Sequence, residues 1–247
     1  MPVLTIFRRL FKKNIKEFEP EKGYDIWAES YDDQPGNLML ALDEAVFGSL
    51  LEMVPCEGKT IIDVGCGTGR HWKKIFDAQP AKLIGYDVSE GMLKMLQQKF
   101  DHAEVHHLLS NALFDTGDHS CDILVSTLTM AHIENAAEAM KEWNRVLKPG
   151  GWVIITDYHP AVLEKGGKRT FKEKGKTIGV KNNIHTIAEI AHTAGQLQWK
   201  LLRLTEKKID ESVRHFYASQ NALAVFESFK GMPVIYGMLF KKDDTAE

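Results

Sequence analysis

The sequence predicts an α/β protein built on a parallel sheet with helices on both faces. Three observations carry that expectation. From Thr60 onward, short β-rich runs alternate with helical ones over short connections. One such run, IIDV over 61–64, leads directly into glycines at alternate positions, as IIDVGCGTGR. And 247 residues are enough for one sizeable core, with no Pro/Ser/Gly-rich linker to divide the chain.

Composition narrows the class. A hydrophobic content of 44% and a charged content of 26% are those of an ordinary globular protein. The net charge of −3 gives no general reason to expect nucleic acid as a partner, and none to expect DNA. The odd, widely separated Cys56, Cys66 and Cys121 suit a reduced cytoplasmic setting and argue against a disulfide framework. No apolar run reaches bilayer length, so no integral membrane association is expected. Arg8 and Arg9 interrupt the start too early for a signal peptide.

The elements follow in order. Leu4, Phe7, Phe11, Ile15 and Phe18 stand at helical spacing among Arg8, Arg9, Lys12, Lys13 and Lys16, which predicts a basic amphipathic helix over 4–18. Such a helix can lie across the domain with its lysines in water, or attach to an anionic membrane or acidic partner. An aromatic helical stretch covers 23–32 and a second apolar helix 38–54. Then come strand 61–64 and helix 68–78, strand 82–88 and helix 89–100, strand 104–109, strand 121–126 and a helix to 147. Lys148-Pro149-Gly150-Gly151 reads as a tight break before a strand over 151–158. Residues 161–183 carry seven positive and two negative side chains and little apolar periodicity, as in a mobile loop or loose hairpin. Thr186-Ile187-Ala188-Glu189 has the form of a capping box, so a helix starts there and ends near Gly195. Strands over 197–209 and 233–241 close the chain, and no internal repeat is present.

Glycines after a buried strand permit a tight turn, remove the Cβ that would block a ligand, and leave backbone N–H groups free to bind. A dinucleotide site needs G-x-G-x-x-G, and counting from Gly65 the third position is Arg70. The spacing here is G-x-G-x-G, through Gly65, Gly67 and Gly69, which disfavours a nicotinamide cofactor. Asp87 ends the next strand 22 residues after Gly65, the interval at which a ribose-binding acid is expected. Its alternative is a turn or cap role, although Ser89 is the better N-cap.

With IIDVGCGTGR, LIGYDVSEGML (83–93), CDILVSTLTMAHIE (121–134) and RVLKPGGWVIITDYHP (145–160) in this order, the chain resembles the class I S-adenosylmethionine-dependent methyltransferases of the small-molecule type, from about Tyr24 onward. The resemblance implies a three-layer, Rossmann-like fold whose seven-stranded sheet is mostly parallel, with 233–241 as its antiparallel last strand. It implies one methyltransferase domain over 1–247, with an N-terminal helical cap over 1–55 and a basic lid-like insert over 161–184. It also implies S-adenosylmethionine as cofactor and S-adenosylhomocysteine as product. Gly65, Gly67 and Gly69 would lie under the amino-acid and ribose portion, with Cys66 between them. Asp63 would hold the ammonium, Asp87 both ribose hydroxyls, and Val88 and Met92 the adenine face. Where many members have an acid for the adenine amino group, this chain has Asn111, followed by Ala112. Ser126 and Thr127 complete the expected cofactor contacts. Tyr24 and Tyr31, on the N-terminal aromatic segment with Trp27, would line or roof the site.

Methyl transfer from a sulfonium is an in-line displacement that needs alignment and exclusion of water, and a base only if the nucleophile must lose a proton early. The sequence therefore need not advertise a catalytic residue. The candidates lie after the fourth and fifth strands, where open α/β sheets bind ligands. They are His159, His185 and, ranked below them, His132. Each could instead be a local structural histidine. The expected reaction is transfer to a small-molecule oxygen, nitrogen or carbon nucleophile, with an anionic acceptor as an option opened by the basic insert. That insert could equally be a solvated loop. Alternatives are a methyltransferase acting on protein or RNA, or a non-catalytic S-adenosylmethionine-binding protein. No metal-ligand cluster is recognised, and no Asn/Asp-Pro-Pro-Tyr tetrapeptide points to DNA bases.

Overall fold

The backbone is organised around one large sheet whose strands meet in the order Glu104–His107, Lys82–Asp87, Thr60–Val64, Cys121–Thr127, Leu147–Tyr158, Pro233–Lys242, Trp199–Lys208. The computed structural model describes residues 15–114 and 116–244. The strands are β2 (Thr60–Val64), β3 (Lys82–Asp87), β4 (Glu104–His107), β5 (Cys121–Thr127), β6 (Leu147–Tyr158), β9 (Trp199–Lys208) and β10 (Pro233–Lys242). Neighbours pair in parallel except β10, which runs antiparallel to both β6 and β9. The expected mostly parallel seven-stranded sheet is therefore present, with β10 as the reversed strand.

Alternation along the strands supplies two cores. Ile61 of β2 and Ile123 and Val125 of β5 enter the core on one face. Ile62, Val64 and Leu124 enter the other. Each such side chain contributes about 1.5–3 kcal/mol when it leaves water. Helices cover both faces. They are α2 (Leu38–Leu51), α3 (Trp72–Asp77), α4 (Glu90–Lys99), α5 (Ala136–Val146) and α7 (Ile187–Gln196), with α1 (Pro20–Trp27) above the sheet's carboxyl edge. Asn37 caps α2 by accepting from the N–H groups of Met39 and Leu40 at 3.0 and 3.3 Å. A Cβ at Gly237 would stand 2.3 Å from Val46, so this glycine lets α2 lie flat on β10. The capping box at Thr186 and Glu189 forms with both of its hydrogen bonds.

The structure corrects several boundaries. The predicted basic helix over 4–18 lies outside the described residues up to position 14, and its last turn is β1 (Lys16–Phe18). The Lys148–Gly151 break does not end a strand. Register against β5 jumps from Leu147 to Trp152, so these residues form a bulge within β6, with Gly150 at φ +70°. The helix expected from Thr68 begins only at Trp72. Residues 161–183 hold α6 (Pro160–Glu164) and a hairpin of β7 (Arg169–Glu173) and β8 (Lys176–Val180). β1 pairs in parallel with β8, making a separate three-stranded sheet. Two helices that the sequence reading left unassigned, α8 (Arg214–Ala218) and α9 (Leu223–Phe229), connect β9 to β10.

Candidate functional site

A cavity of about 860 Å³ opens at the carboxyl ends of β2, β3 and β5. Its floor follows from local chain chemistry. Beyond β2 the chain turns upward at Gly65, φ +75°, where a Cβ would stand 2.1 Å from the Thr129 hydroxyl. Gly67, φ +53°, has nothing within 4 Å of a Cβ position, so its surface is bare and open to the cavity it lines. Gly69 differs. It does not line the cavity, and a Cβ there would meet Leu96 and Phe100 at 3.0 and 3.2 Å. Its expected place beneath a cofactor is corrected: it lets the turn pack against α4.

Two acids face this floor. Asp87 accepts from the Gly67 N–H at 2.8 Å through Oδ2 and from the Ser89 N–H at 2.9 Å through Oδ1. Burial pushes its carboxyl up to about 6 against these stabilising bonds. Asp63 accepts from Trp72 Nε1 at 2.9 Å through Oδ2, while its Oδ1 is buried without a hydrogen-bond partner. Burial raises Asp63 to about 6 as well. Ser89 caps α4 and donates to Asp25 at 2.6 Å, which ties α1 to the start of α4.

The roof is aromatic. Trp27 is stacked between Tyr24, at 5.9 Å, and Phe171 of β7, at 4.7 Å. Tyr31 meets both Tyr24 and Trp27 edge-on. Tyr24 also joins a polar chain. His132 Nδ1 faces the Lys181 carbonyl at 2.9 Å, and a carbonyl can only accept, so Nδ1 carries the proton. Nε2 is then bare and accepts from the Tyr24 hydroxyl at 2.8 Å. Tyr24 oxygen in turn accepts from Arg169 Nη1 at 2.7 Å. Burial, with the Arg169 charge, holds His132 down at about 3, so it is neutral.

Of the sequence-derived cofactor residues, Tyr24, Tyr31, Asp63, Gly65, Cys66, Gly67, Asp87, Val88, Met92, Asn111, Ala112 and Thr127 all line this one cavity. Ser126 and Gly69 do not; Ser126 is fully buried in β5. Neither proposed catalytic histidine lines it either. His159 caps α6, accepting from the Ala161 N–H at 3.1 Å and donating to Glu206 at 2.8 Å. His185 donates to the Ile133 carbonyl at 2.7 Å beside a second, smaller hollow. The ranking is reversed, because His132 is the candidate that reaches the cavity.

Sequence reasoning missed Arg70, His71 and, above all, Arg169, which also line it. Arg70 and His71 both engage the buried Asp43, His71 Nε2 at 2.9 Å. Arg169 had a signal: it is the one arginine in the lysine-rich stretch 161–183.

A bare glycine turn, a buried carboxylate oxygen without a partner, and a second acid at the end of the next strand meet in this one cavity. They fit a cofactor with an ammonium group and a ribose. Comparison with known proteins gives the class. Residues 62–155 match the family described as "Methyltransferase domain". A stretch of 117 residues, 43% of this chain, is 34% identical to the biotin biosynthesis bifunctional protein of Teredinibacter turnerae, of which it spans 20%. An uncharacterized methyltransferase of Emericella nidulans is 24% identical over 249 aligned positions, covering 81% of this chain and 84% of the relative. Among solved structures, magnesium protoporphyrin IX methyltransferase from Synechocystis with bound S-adenosylhomocysteine aligns with a TM-score of 0.61 at 17% identity, over 90% and 94% of the two chains.

Residues 62–155 therefore carry a methyltransferase domain, and the fold around them is that of solved S-adenosylmethionine-dependent methyltransferases, the class whose cofactor is S-adenosylmethionine.

Proposed function

We propose that this methyltransferase acts on a small-molecule oxygen, nitrogen or carbon nucleophile. The observation that carries this reading is the roof. Tyr24, Tyr31 and Arg169 line the same cavity as the glycine turn, which supports a compact acceptor. The bacterial relative is named for biotin biosynthesis, and the solved neighbour for magnesium protoporphyrin IX, both small molecules. In this reading, residues 1–247 act as one domain, with 1–55 as its cap and 161–184 as its lid.

S-adenosylmethionine, when bound, supplies a methyl group already activated by a sulfonium charge. The protein's own part is to bind, orient and exclude water. Asp63 Oδ1, buried without a partner, would accept from the ammonium. Asp87 accepts from the Gly67 N–H through Oδ2 and the Ser89 N–H through Oδ1 and would offer its remaining acceptor capacity to the ribose diol. Gly65 and Gly67 would admit the ligand to the main chain, and Val88 and Met92 would pack on adenine near Asn111 and Ala112. Water exclusion falls to Tyr24 and Tyr31 above. Neither histidine that lines the cavity is free to act as a base: His132 uses both nitrogens, and His71 lies 2.9 Å from both Asp43 and Glu44. The reading therefore rests on alignment rather than proton abstraction by histidine.

The test is to incubate the protein with S-adenosylmethionine and a cell extract split by size. S-adenosylhomocysteine should accumulate with the small-molecule fraction. Accumulation with the macromolecular fraction alone would reject the small-molecule assignment.

A further inference from the structure

Three arginines line the cavity among the described residues, and they are not equivalent. Arg70 is neutralised by Asp43 and Glu44. Arg145 is held by Glu142 and Asp118. Arg169 is 5% exposed, and its Nη2 is buried without a hydrogen-bond partner. The nearest carboxylate, Asp157, stands 3.8 Å from Nη2, beyond hydrogen-bond length. Both Asp157 oxygens already accept backbone N–H groups, from Ala131 at 2.7 Å and Tyr158 at 2.6 Å. The guanidinium lies over the Tyr158 ring at 4.7 Å and donates through Nη1 to Tyr24. It is thus fixed from three sides while the Nη2 donors have no hydrogen-bond acceptor, an arrangement that buried arginine rarely tolerates.

Position decides which anion. The residues assigned to the cofactor cluster at the ends of β2 and β3. Arg169 instead touches Asp157 and Tyr158 of β6, and Tyr24, which bonds His132 after β5. That is the acceptor's side of the cavity. We propose that the methyl acceptor carries a carboxylate and that Arg169, steadied by Tyr24 and Tyr158, holds it. With Asp157 3.8 Å away the guanidinium has little positive charge to spare, which favours a singly charged carboxylate over a phosphate dianion. The proposal rests on the small-molecule methyltransferase reading above and names the acceptor's recognition group. Its specificity device is a buried, oriented cation contributed by the insert.

The experiment is calorimetry near neutral pH on protein saturated with S-adenosylhomocysteine. Acetate, malonate and benzoate are titrated against acetamide, malonamide and benzamide, with inorganic phosphate as a separate arm. At least one carboxylate should bind, with its amide and phosphate weaker by about tenfold or more. Arg169→Gln should lose that binding by about tenfold, while S-adenosylhomocysteine affinity stays within about threefold. Arg169→Lys, which keeps the charge without the fork, should fall between them. Equal binding of the amides, equal binding of phosphate, or no carboxylate binding to the wild-type protein would each overturn the proposal; none of these depends on a variant folding. Loss of S-adenosylhomocysteine affinity in a folded Arg169→Gln would also overturn it, because the guanidinium would then be holding the cofactor's own carboxylate. Failure of S-adenosylhomocysteine to bind the wild-type protein is a different result, and would remove the underlying reading as well.

Discussion

Replacing Gly67 by alanine separates a ligand cradle from a packing device. Gly67 sits at φ +53°, where an L side chain costs roughly 1–2 kcal/mol. Nothing lies within 4 Å of the added Cβ, so no clash is added to that strain. For a domain of this size, the melting temperature should fall by about 2–8 °C. The new methyl projects into the cavity, and a ligand seated on the bare turn must lift away from it. A loss of about tenfold in S-adenosylhomocysteine affinity, about 1.4 kcal/mol, is the expected minimum. Gly69→Ala is the matched control. It has the same backbone sign, φ +72°, but its Cβ meets Leu96 and Phe100 at 3.0 and 3.2 Å. It should destabilise at least as much as Gly67→Ala while leaving affinity within about threefold. Thermal melts and calorimetry on both variants read the two quantities separately. Wild-type affinity in Gly67→Ala, or an equal affinity loss in Gly69→Ala, would refute the division of labour drawn between these glycines.

Asp87→Asn should weaken S-adenosylhomocysteine by about tenfold or more, since charge-assisted bonds contribute about 1.5–3 kcal/mol each; calorimetry decides it. Asp87→Ala should also lower stability, because it strands the Gly67 and Ser89 N–H groups. Asp63 and Asp87 are both raised to about 6 in the cofactor-free protein, above the unfolded value of about 4. Their contribution to stability therefore declines as pH rises from about 4 to about 6, whereas cofactor affinity should fall on acidification below 6, by up to about tenfold per pH unit for each carboxylate whose charge is needed. An affinity that is flat between pH 5 and 7 would rule out an ionised acid in binding. His159→Ala removes a helix cap and a contact to Glu206 outside the cavity. Denaturation should show a loss of about 1 kcal/mol, with cofactor affinity unmoved.

The central strands were legible because each is an apolar run bounded by turn residues, and neighbours in the sheet such as β2 and β3 lie close in sequence. Gly67 and Asp87 were legible because their spacing reports a turn and a strand end, whereas Asp63 came only from the family resemblance. What escaped depends on distant partners. Three residues of β1 hold no local signal for pairing with Ile178, Gly179 and Val180. Gly69 reads like Gly67 until Leu96 and Phe100 are seen above it. The sequence ranked His159 above His132, and only the direction of the chain after β5 and β6 assigns His132 to the cavity and His159 to a helix cap. Arg169 was hidden by its lysine neighbours, although its planar, permanently charged fork is the feature that distinguishes it.

The pairing of β1 with β8 has a mechanical consequence. Lys16–Phe18 and Lys176–Val180 are far apart in the chain, yet their backbones are joined, and Lys181 N–H donates to the Phe18 carbonyl at 2.9 Å. Trp27 of α1 and Phe171 of β7 add a stacked contact between the neighbouring elements. Neither β1 nor β8 can swing aside alone without tearing its bonds to the other. Amide exchange at Phe18 and Val180 should therefore quicken together when this pairing loosens.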